Sequence, residues 1–193
     1  MTKWLSHRMV ERGIIKEEEQ ELYQFGIRNG MILLLNVVTA LVIGLLTEQL
    51  AVVAVFTLSF MVLRSYTGGY HSDSRIFCYL GSNLVLLVPV YTQAVFYKTS
   101  LAWLLAVLMV SAGIIFLLSP MHSKNRKLDK EEQKHFGRKA RLIAALELAV
   151  LGILWHAGQI PYAYAVYTGI CITALFMLVG KAQLWIQSHT ENG

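Results

Sequence analysis

One histidine and one cysteine, His71 and Cys78, stand seven residues apart in the stretch RSYTGGYHSDSRIFC and could together cleave a peptide bond. A cysteine attacks a carbonyl carbon as the thiolate, so it needs a neighbouring base. His71 is the nearest candidate base in sequence. The spacing alone is a weak signal, because histidines in surface loops and small buried cysteines are common. The elements around the pair must therefore decide the interpretation.

Backbone geometry limits how His71 and Cys78 could meet. In one continuous helix they would lie about 10.5 Å apart along the axis, too far to touch. If they cooperate, the chain must leave helical geometry between them. Gly68 and Gly69 allow such a break, and Ser72 or Asp73 could cap the next helix. We expect Cys78 one to two turns inside that helix.

Other catalytic patterns are absent from the sequence. It contains no G-x-S-x-G motif, no paired cysteines at metal-binding spacing and no H-E-x-x-H helix. The second cysteine, Cys171, lies deep in an apolar run, so the two cysteines do not form a disulfide framework. We expect no metal and no cofactor.

The composition is that of a membrane protein. The chain is 55% hydrophobic and only 15% charged, with a mean hydropathy of +0.51, whereas a soluble domain is about a quarter charged. The apolar residues form six blocks near spanning length, and we predict an all-α integral membrane protein with six transmembrane helices. The second block is short and must borrow residues from its flanks or lie tilted. The blocks are 31–46, 50–63, 76–97, 101–118, 142–157 and 161–180.

The polar region before the first block predicts two short amphipathic helices on the membrane surface. Its charges are spread throughout, so it does not resemble a cleaved signal peptide. We therefore predict one domain over residues 1–193, with surface helices in 1–30 and a six-span bundle in 31–181.

The positive charges are distributed asymmetrically over the connections between blocks. If the blocks alternate across the membrane, 16 of the 17 Lys and Arg residues fall on one side, and only Lys98 falls on the other. Lys and Arg accumulate in cytoplasmic loops, so both termini and the His71–Cys78 stretch should face the cytoplasm. The loop from Ser119 to Arg141 carries a net charge of +5. It could bind anionic lipid headgroups or an acidic peptide, although topology determination alone also explains its sign.

Together these features resemble the AgrB family, the accessory gene regulator protein B of Gram-positive quorum sensing. The resemblance covers most of the chain. It includes the N-terminal segment Tyr23–Gly26, the short second span, the basic central loop and a core motif formed by Arg64, Gly68, Gly69, His71 and Cys78.

The resemblance implies a cysteine endopeptidase of the bacterial cell membrane, with its active site at the cytoplasmic face. It would cleave the C-terminal tail of an AgrD-like propeptide and promote its cyclisation to a thiolactone or lactone. Cys78 would be the nucleophile and His71 the general base, while Arg64 and Gly69 match positions that the family needs for activity. The partners implied are the propeptide and the lipid bilayer; a homodimer stays open, and we expect no nucleic acid. The family's basic segment matches the loop that contains Lys124, Arg126 and Lys127.

Two roles stay unassigned. The oxyanion donors could be backbone amides near Gly68 and Gly69 or the Arg64 guanidinium, although Arg64 could also simply anchor the second span. Asp73 and Glu147 are candidates for a third catalytic residue, and Glu147 could instead pair with a basic loop residue or face a wet cavity.

A different class of function also fits the sequence. The chain could be a small transporter or membrane-anchored binding protein, in which Gly68-Gly69 forms a re-entrant turn and His71 lines a polar pathway. Transporters more often have two broken spans in corresponding halves, and the sequence indicates one.

Overall fold

The described parts of the chain are mostly helical. The computed structural model describes residues 2–68, 75–121 and 130–190, and these residues contain no β-strand. The all-α prediction is therefore confirmed. A 3₁₀ turn, Glu17–Glu19, precedes the second helix. The helices are α1 Thr2–Glu11, α2 Gln20–Leu46, α3 Leu50–Thr67, α4 Arg75–Tyr91, α5 Gln93–Lys98, α6 Leu101–Leu118, α7 Lys130–His156 and α8 Ile160–Thr190.

The chain divides into two compact units, Met1–Thr39 and Ala40–Gly193. In the first unit the prediction of two short helices is wrong in one respect. The segment Tyr23–Gly26 belongs to α2, which continues without interruption into the first apolar block.

Among the described residues, four helices are long and apolar enough to cross a membrane. They correspond to the first, second, fourth and sixth predicted blocks. The helix α3 continues past Leu63 to Thr67, so the short second block does gain residues from its flank. The third block is divided between α4 and α5, and the fifth is the apolar half of α7. That these two blocks cross the membrane stays a prediction. The four helices are Glu17–Leu46, Leu50–Thr67, Leu101–Leu118 and Ile160–Ile186.

Pro89 lies three residues before the break between α4 and α5. Proline has no backbone N–H and weakens the helix around it. The hydroxyl of Tyr164 donates a hydrogen bond to the Pro89 carbonyl at 3.0 Å and lies 2.6 Å from the Thr92 hydroxyl oxygen. The Pro89 carbonyl beside the break is therefore satisfied by a side chain of α8.

The helix α8 lies at the centre of the second unit and packs against α3, α6 and α7. Small residues on its surface allow neighbouring helices to approach closely. A Cβ atom on Gly169 would lie only 2.5 Å from the Ser59 hydroxyl oxygen on α3. Two buried clusters surround α8, one built around Phe56, Leu86 and Tyr164 and the other around Leu63, Ile115 and Met177.

Candidate active site

The first half of the candidate motif ends helix α3. Gly68 donates its N–H to the Arg64 carbonyl at 3.2 Å, and its φ of +72° and ψ of −154° end the helix there. L-residues with a side chain rarely adopt this conformation. His71 therefore follows the end of α3, while Cys78 is the fourth residue of α4. The expected depth of Cys78, one to two turns inside this helix, stays a prediction, because the residues just before Arg75 lie outside the described ranges.

Several predicted site residues lie outside the described parts of the chain, and their roles stay predictions. These are Gly69, His71, Asp73, Lys124, Arg126 and Lys127. Of the supporting residues, Arg64, Gly68 and Glu147 are described. Within the described ranges, no three His, Cys, Asp or Glu side chains come close enough together to hold a metal ion.

Arg64 lies against two aromatic rings near the end of α3. Its guanidinium carbon is 4.8 Å from the centroid of the Phe176 ring on α8 and 5.8 Å from that of Phe60 on α3. Both distances fall within the range of cation–π attraction. This contact favours the anchoring role for Arg64, because it links the end of α3 to the central helix.

The end of α3 is also joined to the segment that follows α6. The backbone N–H of Met121 donates to the carbonyl of the fully buried Thr67 at 2.9 Å. A Cβ atom on Gly68 would lie 2.7 Å from the Met121 carbonyl oxygen. Met121, near the start of the basic loop, is thus hydrogen-bonded to Thr67, the residue before Gly68. Sequence patterns gave no sign of this pairing.

Helix α7 meets the same segment from the other side. Gly137 allows Pro120 to approach, since a Cβ atom there would lie 3.0 Å from the Pro120 Cδ. The Nε of Arg141 donates to the Phe116 carbonyl of α6 at 3.2 Å. Helices α3, α6 and α7 therefore meet around residues 119–121.

Glu147 contacts helix α3 well away from its end. The Ser59 hydroxyl donates to Glu147 Oε2 at 2.8 Å, and Ser59 precedes Gly68 by nine residues, about 13.5 Å along the helix. The carboxylate of Glu147 is half-buried. Sequence reasoning selected Glu147 as a costly intramembrane carboxylate but missed Ser59, because a serine within an apolar helix carries no distinctive pattern.

Replacing Gly68 by alanine is expected to destabilise the second unit. Backbone strain at its φ and ψ alone should cost about 1–3 kcal/mol, and the added methyl group would collide with the Met121 carbonyl oxygen. Thermal unfolding of the purified protein in detergent would measure the loss. Gly113→Ala is the matched control, because Gly113 lies within α6 with nothing near its missing side chain. Equal melting temperatures for the two variants would contradict the strained geometry.

Comparison with known families and proteins relates this geometry to a biological system. The family model described as "Accessory gene regulator B" (AgrB) matches residues 1–178, which include every candidate site residue. The chain belongs to the AgrB family. As an AgrB family protein with several long apolar helices, it takes part in accessory gene regulator quorum sensing and is a membrane protein.

Individual AgrB relatives are distant but cover most of the chain. A "Putative AgrB-like protein" of Clostridium perfringens (strain SM101 / Type A) is 23% identical over 74% of this chain and 69% of its own length. The "Accessory gene regulator protein B" of Staphylococcus intermedius is 25% identical over 79% of this chain and 80% of its own length. No solved structure matches the chain.

Proposed function

We propose that this AgrB family protein is a membrane-embedded cysteine endopeptidase that processes an AgrD-like propeptide. The observation that carries the proposal is the arrangement of the core motif. A glycine-terminated helix precedes the His71 segment, and Cys78 is the fourth residue of the next helix of a membrane protein in this family. The end of α3 at Gly68 leaves His71 and Cys78 outside that helix. We propose that the chain also leaves helical geometry between them, because one continuous helix would hold them about 10.5 Å apart along its axis.

The first half of the reaction forms an acyl-enzyme. His71 takes the thiol proton of Cys78, and the thiolate attacks the carbonyl carbon that joins the propeptide's signal portion to its acidic tail. The carbon–nitrogen bond breaks, and protonated His71 gives its proton to the leaving amine. The tail leaves with a free amino terminus, and the signal portion stays on Cys78 as a thioester.

The second half releases the signal as a ring. An internal cysteine of the propeptide attacks the thioester, its thiol proton returns to the Cys78 sulfur, and a thiolactone forms. One thioester replaces another, so this exchange is chemically near balanced, whereas forming a thiolactone directly from an amide is uphill. An internal serine would give a lactone by the same route. Excluding water from the site favours ring closure over hydrolysis.

The oxyanion that forms during attack requires hydrogen-bond donors. The N–H of Gly68 already bonds to the Arg64 carbonyl, and the Arg64 guanidinium lies against Phe176 and Phe60. These contacts support assigning the donor role to the backbone N–H of Gly69 and a positioning role to Arg64. Asp73 is retained as the candidate that orients His71.

The basic loop is the proposed binding site for the acidic tail of the propeptide. The hydrogen bond between Met121 and Thr67 supports this role, because the loop begins beside the end of α3. Opposite charges would hold the tail near the bond to be cut and would raise its local concentration. The cations assigned to this role are Lys124, Arg126 and Lys127.

The proposed topology has six spans, with both termini and the active site at the cytoplasmic face of the bacterial membrane. It combines the four long apolar helices with the divided span of α4 and α5 and the apolar half of α7. The placement of 16 of the 17 Lys and Arg residues on one side supports this orientation.

A transporter is the second candidate, and the break at Thr92 between α4 and α5 is the observation that favours it. Reconstitution in liposomes separates the two. We expect the purified protein to release the tail from a synthetic propeptide with a central cysteine, and to leave a ring lighter than the linear fragment by one water. Mass spectrometry detects both products. Intact propeptide that crosses the bilayer unprocessed would contradict the peptidase and support the transporter.

A further inference from the structure

We propose that Glu147 is a positioning residue that acts through Ser59. Their hydrogen bond sets the position of α7 along α3 and so holds the end of α3 in place for the chemistry at Cys78. This inference rests on the proposed peptidase function. It assigns Glu147 a role that needs no contact with His71 or with substrate.

The contact between the two residues is confined on several sides. Ser59 is 7% exposed, and its hydroxyl donates to Glu147 Oε2 at 2.8 Å. Gly169 of α8 comes so close that a Cβ atom there would lie 2.5 Å from the same hydroxyl oxygen. The serine therefore lies in a narrow gap between α7 and α8, where a larger side chain would force the helices apart.

Further contacts between α3 and α7 follow the same antiparallel alignment. The rings of Tyr66 and Phe136 lie 6.3 Å apart, and the ammonium nitrogen of Lys139 is 5.8 Å from the centroid of the Tyr66 ring. Tyr66 lies nearer the C-terminal end of α3 than Ser59 does. Its partner Phe136 lies nearer the N-terminal end of α7 than Glu147 does, so the two helices run antiparallel. One alignment of the two helices satisfies all three contacts.

A polar pair specifies this alignment better than the surrounding apolar contacts. In lipid there is no hydrophobic driving force between helices, because acyl chains are as apolar as the side chains, so an interhelical hydrogen bond adds directional preference to the packing. A slip of one turn would move α7 by about 5.4 Å and leave the hydroxyl and the carboxylate apart. Single polar residues fix helix register in this way in other bundles.

The alignment matters because both helices reach the residues around the proposed site. The end of α3 carries Arg64 and Gly68, and Thr67 is hydrogen-bonded to Met121. Helix α7 packs Gly137 against Pro120, the neighbour of Met121. Moving α7 along α3 would displace this segment and, with it, the start of the His71 segment.

Removing either partner is expected to slow acylation of Cys78. We expect Ser59→Ala and Glu147→Ala to form the acyl-thioester about tenfold more slowly, since small misplacements of reacting groups cost rate steeply. Glu147→Gln keeps an oxygen acceptor of the same size and should restore the rate to within about twofold. Single-turnover assays with purified, liposome-reconstituted protein and synthetic propeptide measure these rates.

Thr57→Ala is the matched control. It also removes a hydroxyl from α3, but the Thr57 hydroxyl donates to the Val53 carbonyl of its own helix at 2.7 Å. We expect this variant to acylate at the wild-type rate. A loss equal to that of Ser59→Ala would overturn the proposal, because any lost hydroxyl on α3 would then suffice.

A second measurement reports the alignment without using activity. Tyr66→Cys and Phe136→Cys, in a chain whose two native cysteines are replaced by alanine, should cross-link efficiently with a short thiol-reactive reagent. Adding Ser59→Ala should lower this yield several-fold, while adding Thr57→Ala should leave it unchanged. Unchanged cross-linking in the Ser59→Ala chain would overturn the proposal even if Glu147 variants accumulate poorly.

The outcomes also separate this proposal from the proposed function. If Cys78→Ala still releases the tail, the peptidase mechanism fails, while the cross-linking result still tests the alignment. If Glu147→Gln is as slow as Glu147→Ala and cross-linking is unchanged, the charge of Glu147 matters rather than its hydrogen bond, and the positioning role is overturned.

Discussion

Cys78→Ala and Cys78→Ser are both expected to abolish tail release from the propeptide. Alanine has no nucleophile, and a serine hydroxyl is far harder to ionise than the thiol that the site is built to activate. Loss of a catalytic nucleophile should lower the rate by at least about three orders of magnitude. Co-expression with the propeptide, followed by mass spectrometry of the released tail, measures the effect.

Cys171→Ala serves as the control for these variants, since it removes the other cysteine of the chain from the middle of α8. We expect it to process the propeptide normally. Normal processing by Cys78→Ala would exclude Cys78 as the nucleophile. If Cys171→Ala accumulates normally in the membrane but does not process the propeptide, then Cys171 on α8 is also needed for the reaction.

His71→Ala is expected to have the second largest effect. Without its general base the thiol of Cys78 would stay protonated, and acylation should slow by about 10²- to 10⁴-fold. Added imidazole should restore part of the rate, because it can take the same proton. Single-turnover formation of the Cys78 thioester, with quantification of the protein in the membrane fraction, measures both effects.

His156→Ala is the control for the histidine variant. His156 ends helix α7 and lines an apolar cavity of about 280 Å³ with Trp155 and Tyr167, so it has no part in the proposed reaction. We expect it to acylate normally. Undiminished acylation in His71→Ala would assign the base to another residue.

Much of the helical framework could be predicted from hydrophobic blocks. The block 101–118 coincides with helix α6, and the expected extension of the second block is the last turn of α3. The start of α2 was harder to predict, because its polar first turns resemble a separate surface helix. Hydropathy alone also could not locate the break at Thr92, since the hydroxyl of Tyr164 that satisfies it lies 72 residues away.

Part of the candidate site could likewise be predicted from the sequence, and part could not. The end of α3 at Gly68 agrees with the glycine pair seen in the sequence, whereas the break expected between His71 and Cys78 falls at residues outside the described ranges and stays a prediction. The contacts that hold this region join residues far apart in sequence, such as Ser59 and Glu147, which are 88 residues apart. They depend on how the helices pack, and a single sequence carries no periodic signal for them.

One measurement tests the central claim most directly. A propeptide whose internal cysteine is replaced by alanine cannot close its ring, so the acyl-enzyme should accumulate. We expect intact-mass analysis to detect the protein with the signal portion attached, peptide mapping to locate it on Cys78, and neutral hydroxylamine to remove it. Release of the tail with no adduct on Cys78, or with an adduct on another residue, would contradict the thioester mechanism.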